Sequence, residues 1–197
     1  VMSSSPIVLV LTLGFLGQFV LGLLVGTFAL FGDAVLFASW EAQSVGIGVG
    51  LILTVVGLSQ FLTQTVVLRP ALRRLGELRL LQAGILVRFL GMGIIAVTSS
   101  PWLSAIGGAA FACGTGLTVP PTQSIATKTV DDSMRGGILG LYQSMASLGT
   151  IISTALGGVL FAVDPFLPFQ AAAILALVAL GPALVLRRTL PKQLAAH

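Results

Sequence analysis

Charge is what this chain has least of. Only 8% of its 197 residues are Asp, Glu, Lys or Arg, against about a quarter in a soluble domain. Hydrophobic residues make up 56% and the mean hydropathy is +1.06. Too few polar side chains remain to cover a water-facing surface, which excludes a soluble globular domain. Cysteine occurs once, as Cys113 inside an apolar run, which rules out a disulfide framework or a thiolate metal cluster within one chain. The one histidine, His197, gives no support to a zinc site or a Ser/His/Asp triad. No apolar run carries paired acids or a nucleophile beside a base, so no catalytic residue, metal or cofactor is expected. A basic n-region before the first apolar run is also lacking, and that run is too long for a signal-peptide core, so no cleaved leader is expected.

What the chain does have is length of apolar sequence. Turn and loop signals divide it into six helices, over 6–31, 44–68, 80–97, 101–126, 137–163 and 166–186. Each is long enough to cross a bilayer. The expected fold is all-α, a polytopic membrane domain occupying 1–197.

Of the 10 Lys and Arg, all but Arg88 fall in three places: Arg69, Arg73, Arg74 and Arg79; Lys128 and Arg135; Arg187, Arg188 and Lys192. Alternating the loops between two sides puts all three clusters on one of them. The other side (32–43, 98–101 and 164–165) holds Asp33, Glu41 and Asp164 without a cation. This is the positive-inside pattern, and it puts both termini in the cytoplasm of a protein of the inner or plasma membrane. The net charge of +4 therefore reports topology and not nucleic-acid binding, because no aromatic-interleaved basic stripe accompanies it. Asp131 and Asp132 beside Lys128 and Arg135 read as a solvated charge cluster worth little energetically. Small residues recur at helical spacing in the second helix (Gly46, Gly50, Thr54, Gly57) and the fifth (Gly140, Ser144, Ser147, Thr154, Gly158), where helices are expected to touch.

The loop 64–79 contains Arg69, Pro70, Arg73, Arg74 and Gly76. It resembles the loop joining the eighth and ninth helices of major facilitator superfamily transporters, drug-efflux members similar to the tetracycline exporters above all. Pro120-Pro-Thr-Gln-Ser124, Arg135-Gly-Gly-Ile-Leu-Gly-Leu-Tyr-Gln-Ser144, Ser147-Leu-Gly149 and Leu156-Gly-Gly158 are similar to the tenth and eleventh helices of that group. Arg69-Pro70 stands where the family's stronger signature has an acid before its basic pair, so the charge-relay role of that acid has no counterpart here.

The resemblance covers nearly the whole chain but only the second half of a twelve-helix fold. It implies a six-helix half built as a 3+3 inverted repeat, with substrate held between two halves near mid-membrane. Its partners would be the bilayer, a small-molecule substrate and a second six-helix half: the missing N-terminal half, a separate subunit, or a parallel homodimer. Val1 as first residue mildly favours a fragment or an unusual start. The implied function is alternating-access transport, as an efflux antiporter of amphipathic or drug-like compounds. The alternative is a membrane scaffold or assembly subunit that kept the fold and lost transport.

Several residues then become candidates. The resemblance makes the first helix a cavity wall, which gives Gln18, flanked by Phe15 and Phe19, the role of orienting a moderately apolar substrate. In the fourth helix Thr115, Thr118 and Gln123 are cavity candidates. Gly114, Gly116, Pro120 and Pro121 are candidates for a bend that opens or closes the cytoplasmic mouth. Of Tyr142, Gln143 and Ser144, consecutive positions pointing in different directions, Gln143 is the cavity candidate. Arg88 is the one strongly ionic residue within a helix, about 12 Å deep. It serves coupling or substrate binding, snorkels to the headgroups, or caps carbonyls of a neighbouring helix. The resemblance places its helix on the periphery. Every acid lies in or beside a loop, so a proton-driven cycle would draw its titrating acid from the missing half.

Overall fold

The computed structural model describes residues 4–190; Lys192 and His197 lie outside them. Seven α-helices carry the chain: α1 Ser4–Phe31, α2 Ala42–Leu62, α3 Leu68–Ile95, α4 Pro101–Lys128, α5 Arg135–Val163, α6 Leu167–Val178 and α7 Leu180–Thr189. No strand occurs among the described residues. Wide π-helical turns extend α1 through Gly32–Leu36 and join α2 to α3 through Thr63–Val67.

Helix ends follow local chemistry. Pro6 in α1 and Pro101 in α4 sit in first turns, where a missing N–H has no helical partner to lose. The Thr98 hydroxyl accepts the Ser100 N–H at 3.1 Å as α4 begins. Asp164, in extended conformation, ends α5, and its Oδ1 accepts the Phe166 N–H at 2.7 Å to turn the chain into α6.

Five stretches are long and apolar enough to span a membrane, against six expected: Pro6–Leu36, Ser44–Ile95, Pro101–Lys128, Asp132–Val163 and Leu167–Thr189. The difference lies at 64–79, which is helical and not a loop. Leu, Arg and Ala favour helix there, and Pro70 falls in the first turn of α3. The 52-residue stretch Ser44–Ile95 would measure about 78 Å as one straight rod, more than twice the hydrocarbon thickness. It is not straight, because Gly76 adopts φ 73 and ψ 165, a region open only to glycine.

A second departure is the expected helix over 166–186, which parts into α6 and α7 at Ala179. Pro182 supplies the cause: it has no N–H to offer the Val178 carbonyl, where α6 stops. Pro120 and Pro121 similarly free the carbonyls of Gly116 and Leu117, yet α4 runs on to Lys128.

Two tight seams hold the bundle. Along α1 and α5, a Cβ on Gly149 would lie 2.6 Å from the Phe15 carbonyl oxygen, and one on Gly14 would lie 2.6 Å from the Tyr142 ring. Along α3 and α4, a Cβ on Gly114 would lie 2.6 Å from the Gly84 oxygen, and one on Gly107 would lie 2.8 Å from the Gly91 oxygen. Lipid provides no hydrophobic drive for helix association, so such close backbone approach is what packing depends on. The stripes singled out in the sequence are different residues. Gly46, Gly50, Gly57, Gly140 and Gly158 have nothing within 4 Å of an added Cβ. Thr54, Ser144 and Ser147 are exposed, and of that set Thr154 alone meets a helix, at Gly26. Thr154 apart, the expected contact is therefore not made among the described residues, and small-residue faces of α2 and α5 stand open.

Candidate functional site

The apolar interior is divided in two. One cluster gathers Phe28, Phe31, Leu36, Met92, Ile95 and Phe169; the other gathers Val10, Leu13, Leu81, Ile85, Ile125 and Leu186. Against the second cluster, which contributes Leu13, Leu81 and Ile85 to its wall, lies a cavity of about 20 Å³ whose polar lining residues are Gln18, Arg88, Thr115, Thr118, Thr122 and Tyr142. Helices α1, α3, α4 and α5 each contribute to this polar layer.

Arg88 is its one charge. The helix beyond Gly76 is about 28 Å long at 1.5 Å per residue, with Arg88 about 18 Å along it, deeper than the sequence implied and past the helix's middle. Its side chain turns into the bundle, 6% exposed. Nη2 donates to the Gly17 carbonyl of α1 at 2.5 Å, and the guanidinium carbon lies 5.0 Å from the centre of the Phe111 ring of α4. Arg88 thus bonds a backbone carbonyl of a neighbouring helix, and its side chain does not reach outward. Among the described residues the ion pairs are Lys128–Glu77 and Arg135–Asp132, so Arg88 faces no carboxylate, and its Nε has no partner at all. A cation at the bilayer centre costs about 3 kcal/mol on insertion scales, and the contacts seen offset only part of that.

The other candidates separate by depth. Gln18 is half-buried and lines the cavity; Phe15 and Phe19 are half-buried beside it, ring centres 5.7 Å apart. Thr115 and Thr118 line it too, but their hydroxyl protons are committed to the Phe111 and Thr115 carbonyls at 2.9 and 3.2 Å. Of the three consecutive residues on α5, Tyr142 points inward, while Gln143 and Ser144 are exposed. Gln123 is half-buried outside the cavity lining. Gly114 abuts the Arg88 side chain and Gly116 abuts Thr63, so both glycines serve close approaches; Pro120 is half-buried and Pro121 buried. Gly17, whose carbonyl holds Arg88, was not singled out in the sequence, because a backbone acceptor leaves no side-chain signal.

Beside Gly76, exposed Arg69, Pro70, Arg73 and Arg74 lead into Glu77, which is buried. Its Oε1 accepts the Ser124 hydroxyl at 2.6 Å and Lys128 Nζ at 2.8 Å, while Oε2 is unpartnered. Lys128 therefore belongs to Glu77 and not to the expected solvated cluster, where Arg135 pairs with Asp132 alone at 2.8 Å.

Two proteins from Escherichia coli are similar to this chain in sequence. The class C tetracycline resistance protein is 30% identical over 121 residues, 59% of this chain and 29% of that protein. The class E protein is 30% identical over 118 residues, 60% of this chain and 29% of the relative. The match thus spans less than a third of either relative's length. In three dimensions the chain is similar to the POT family transporter PepTSo in its in meso crystal structure, with a TM-score of 0.83, 14% identity, 93% of this chain covered and 37% of that one. The family model described as Major Facilitator Superfamily matches residues 7–196, and with the apolar helices it makes this chain a multi-pass membrane protein belonging to the Major Facilitator Superfamily.

Proposed function

We propose that this chain is the C-terminal half-unit of an alternating-access exporter of small amphipathic molecules. The observation that carries the reading is the pair of open small-residue faces, Gly46, Gly50 and Gly57 on α2 and Gly140 and Gly158 on α5. Glycine is unfavourable in a helix unless close approach offsets the lost packing, and these glycines approach nothing within the chain. A second bundle laid against both faces would supply the approach and enclose Gln18, Phe15 and Phe19 between the halves. The length relation to the tetracycline resistance proteins and to PepTSo supports the same reading.

In this reading Ser44–Ile95 crosses twice, turning near Gly76, which makes six crossings in the 3+3 inverted arrangement. Exposed Arg69, Arg73, Arg74, Arg135, Arg187 and Arg188 then lie on the cytoplasmic side of the cell membrane with both termini. The two halves rock about the central site, which α1 and α4 wall on this side. Among the described residues no carboxylate lines the cavity, so a proton-coupled cycle draws its titrating acid from the other half. That same feature favours a second reading, a scaffold subunit without transport. Reconstitution in vesicles separates them: the chain alone should carry no amphipathic drug, and adding the second half should restore efflux. Transport by the lone monomer contradicts the half-unit reading, and transport by no combination favours the scaffold.

A further inference from the structure

We propose that the cavity beside Arg88 binds one small monovalent anion of halide size. Three observations converge. The guanidinium is buried without a counter-charge among the described residues, and its Nε is an orphan donor. The cavity of about 20 Å³ exceeds the roughly 10–15 Å³ that one water-sized particle needs and is far below what a drug-sized molecule needs. Its lining sets Gln18, Arg88, Thr115, Thr118, Thr122 and Tyr142 among apolar neighbours and includes no acid.

The proton inventory then favours an anion over a neutral occupant. Thr115, Thr118 and Thr122 spend their hydroxyl protons on carbonyls of their own helix, at 2.9, 3.2 and 2.7 Å. Protons left for an occupant come from Arg88, the Tyr142 hydroxyl and the Gln18 amide, from three different helices. Charge-assisted bonds from such a set neutralise a cation that the low-dielectric interior otherwise leaves unpaired. The Tyr142 ring rests against Gly14, where an added Cβ would lie 2.6 Å from it, and lines the cavity. The anion would lock α1, α3 and α5 together at mid-membrane.

The inference concerns binding and does not depend on transport, so it is tested on the purified detergent-solubilised protein that contains this chain. Thermal unfolding is followed while chloride or bromide replaces gluconate at constant ionic strength. A saturable rise in midpoint is expected, stronger than with sulfate, which is too large and doubly charged. Tyr142→Phe keeps the charge and removes one donor, and should raise the half-saturating halide concentration about tenfold, the effect of one charge-assisted hydrogen bond. Arg88→Gln should abolish the halide response; should that variant not fold, the Tyr142→Phe shift decides alone. A midpoint unchanged when halide replaces gluconate means the cavity holds water and overturns the proposal, as does an unchanged response in Tyr142→Phe. Drug efflux with no halide response would sink this inference and leave the transport reading standing.

Discussion

Arg88 on α3 and Gly17 on α1 are joined by a 2.5 Å hydrogen bond from guanidinium Nη2 to carbonyl oxygen. The acceptor is a mid-helix carbonyl, whose second lone pair takes the bond without leaving the α1 ladder. Losing this bond therefore orphans nothing on α1, and the burden of desolvation falls on the arginine alone. Arg88→Met, which fills the volume with apolar atoms, should change stability by less than about 1.5 kcal/mol. Arg88→Ala, which enlarges the cavity, should cost about 2–4 kcal/mol. Chemical unfolding in detergent compares the two; equal losses would mean that the bond itself holds the bundle.

The glycines divide into those that touch and those that wait. Gly114→Ala drives a Cβ against backbone of α3 and should cost about 1–3 kcal/mol with a lower unfolding midpoint. Gly50→Leu meets open space within the chain and should leave that midpoint within about 0.5 kcal/mol, yet weaken co-purification with the second half. Loss of chain stability in Gly50→Leu would contradict the open-face assignment.

At the turn between α2 and the inner part of α3, Gly76 alone among the described residues has positive φ. Gly76→Ala should cost about 1–3 kcal/mol by forcing a side chain into that conformation. Gly93→Ala serves as the control, since Gly93 is helical and a Cβ there meets nothing; it should be neutral or stabilising. Urea unfolding of the two variants checks the contrast.

Among the described residues Glu77 and Lys128 form the one ion pair with a mostly buried member, side chains 11% and 36% exposed. Because the lysine end reaches solvent, a double-mutant cycle with Glu77→Gln and Lys128→Met should give a coupling of about 1 kcal/mol. That coupling should shrink as salt is raised. A coupling independent of salt would mean that the pair is sealed from solvent.

Apolar length, Asp164-Pro165 and the Ser100-Pro101 start made most helices legible in the sequence, since each acts through neighbouring residues. Gly76 and Pro182 were legible only as residue types. A glycine's φ and a proline's effect on the carbonyl of Val178 depend on whether helix continues past them, which packing decides. The stripes on α2 and α5 were visible as patterns, but periodicity does not say which side of a helix is occupied. Arg88 showed as a buried charge in advance; its acceptor, a backbone oxygen of Gly17, and its inward neighbour Tyr142 are products of the α1–α5 and α3–α4 seams.

The threading of the chain is tested most directly by side-specific labelling of single cysteines at Arg73, Arg135, Ser39 and Ser99, all exposed, in a Cys113→Ser background. A membrane-impermeant thiol reagent should reach Arg73→Cys and Arg135→Cys from one side and Ser39→Cys and Ser99→Cys from the other. Labelling of Arg73→Cys and Ser99→Cys from the same side would mean that α3 does not cross, and would contradict the six-crossing half-unit.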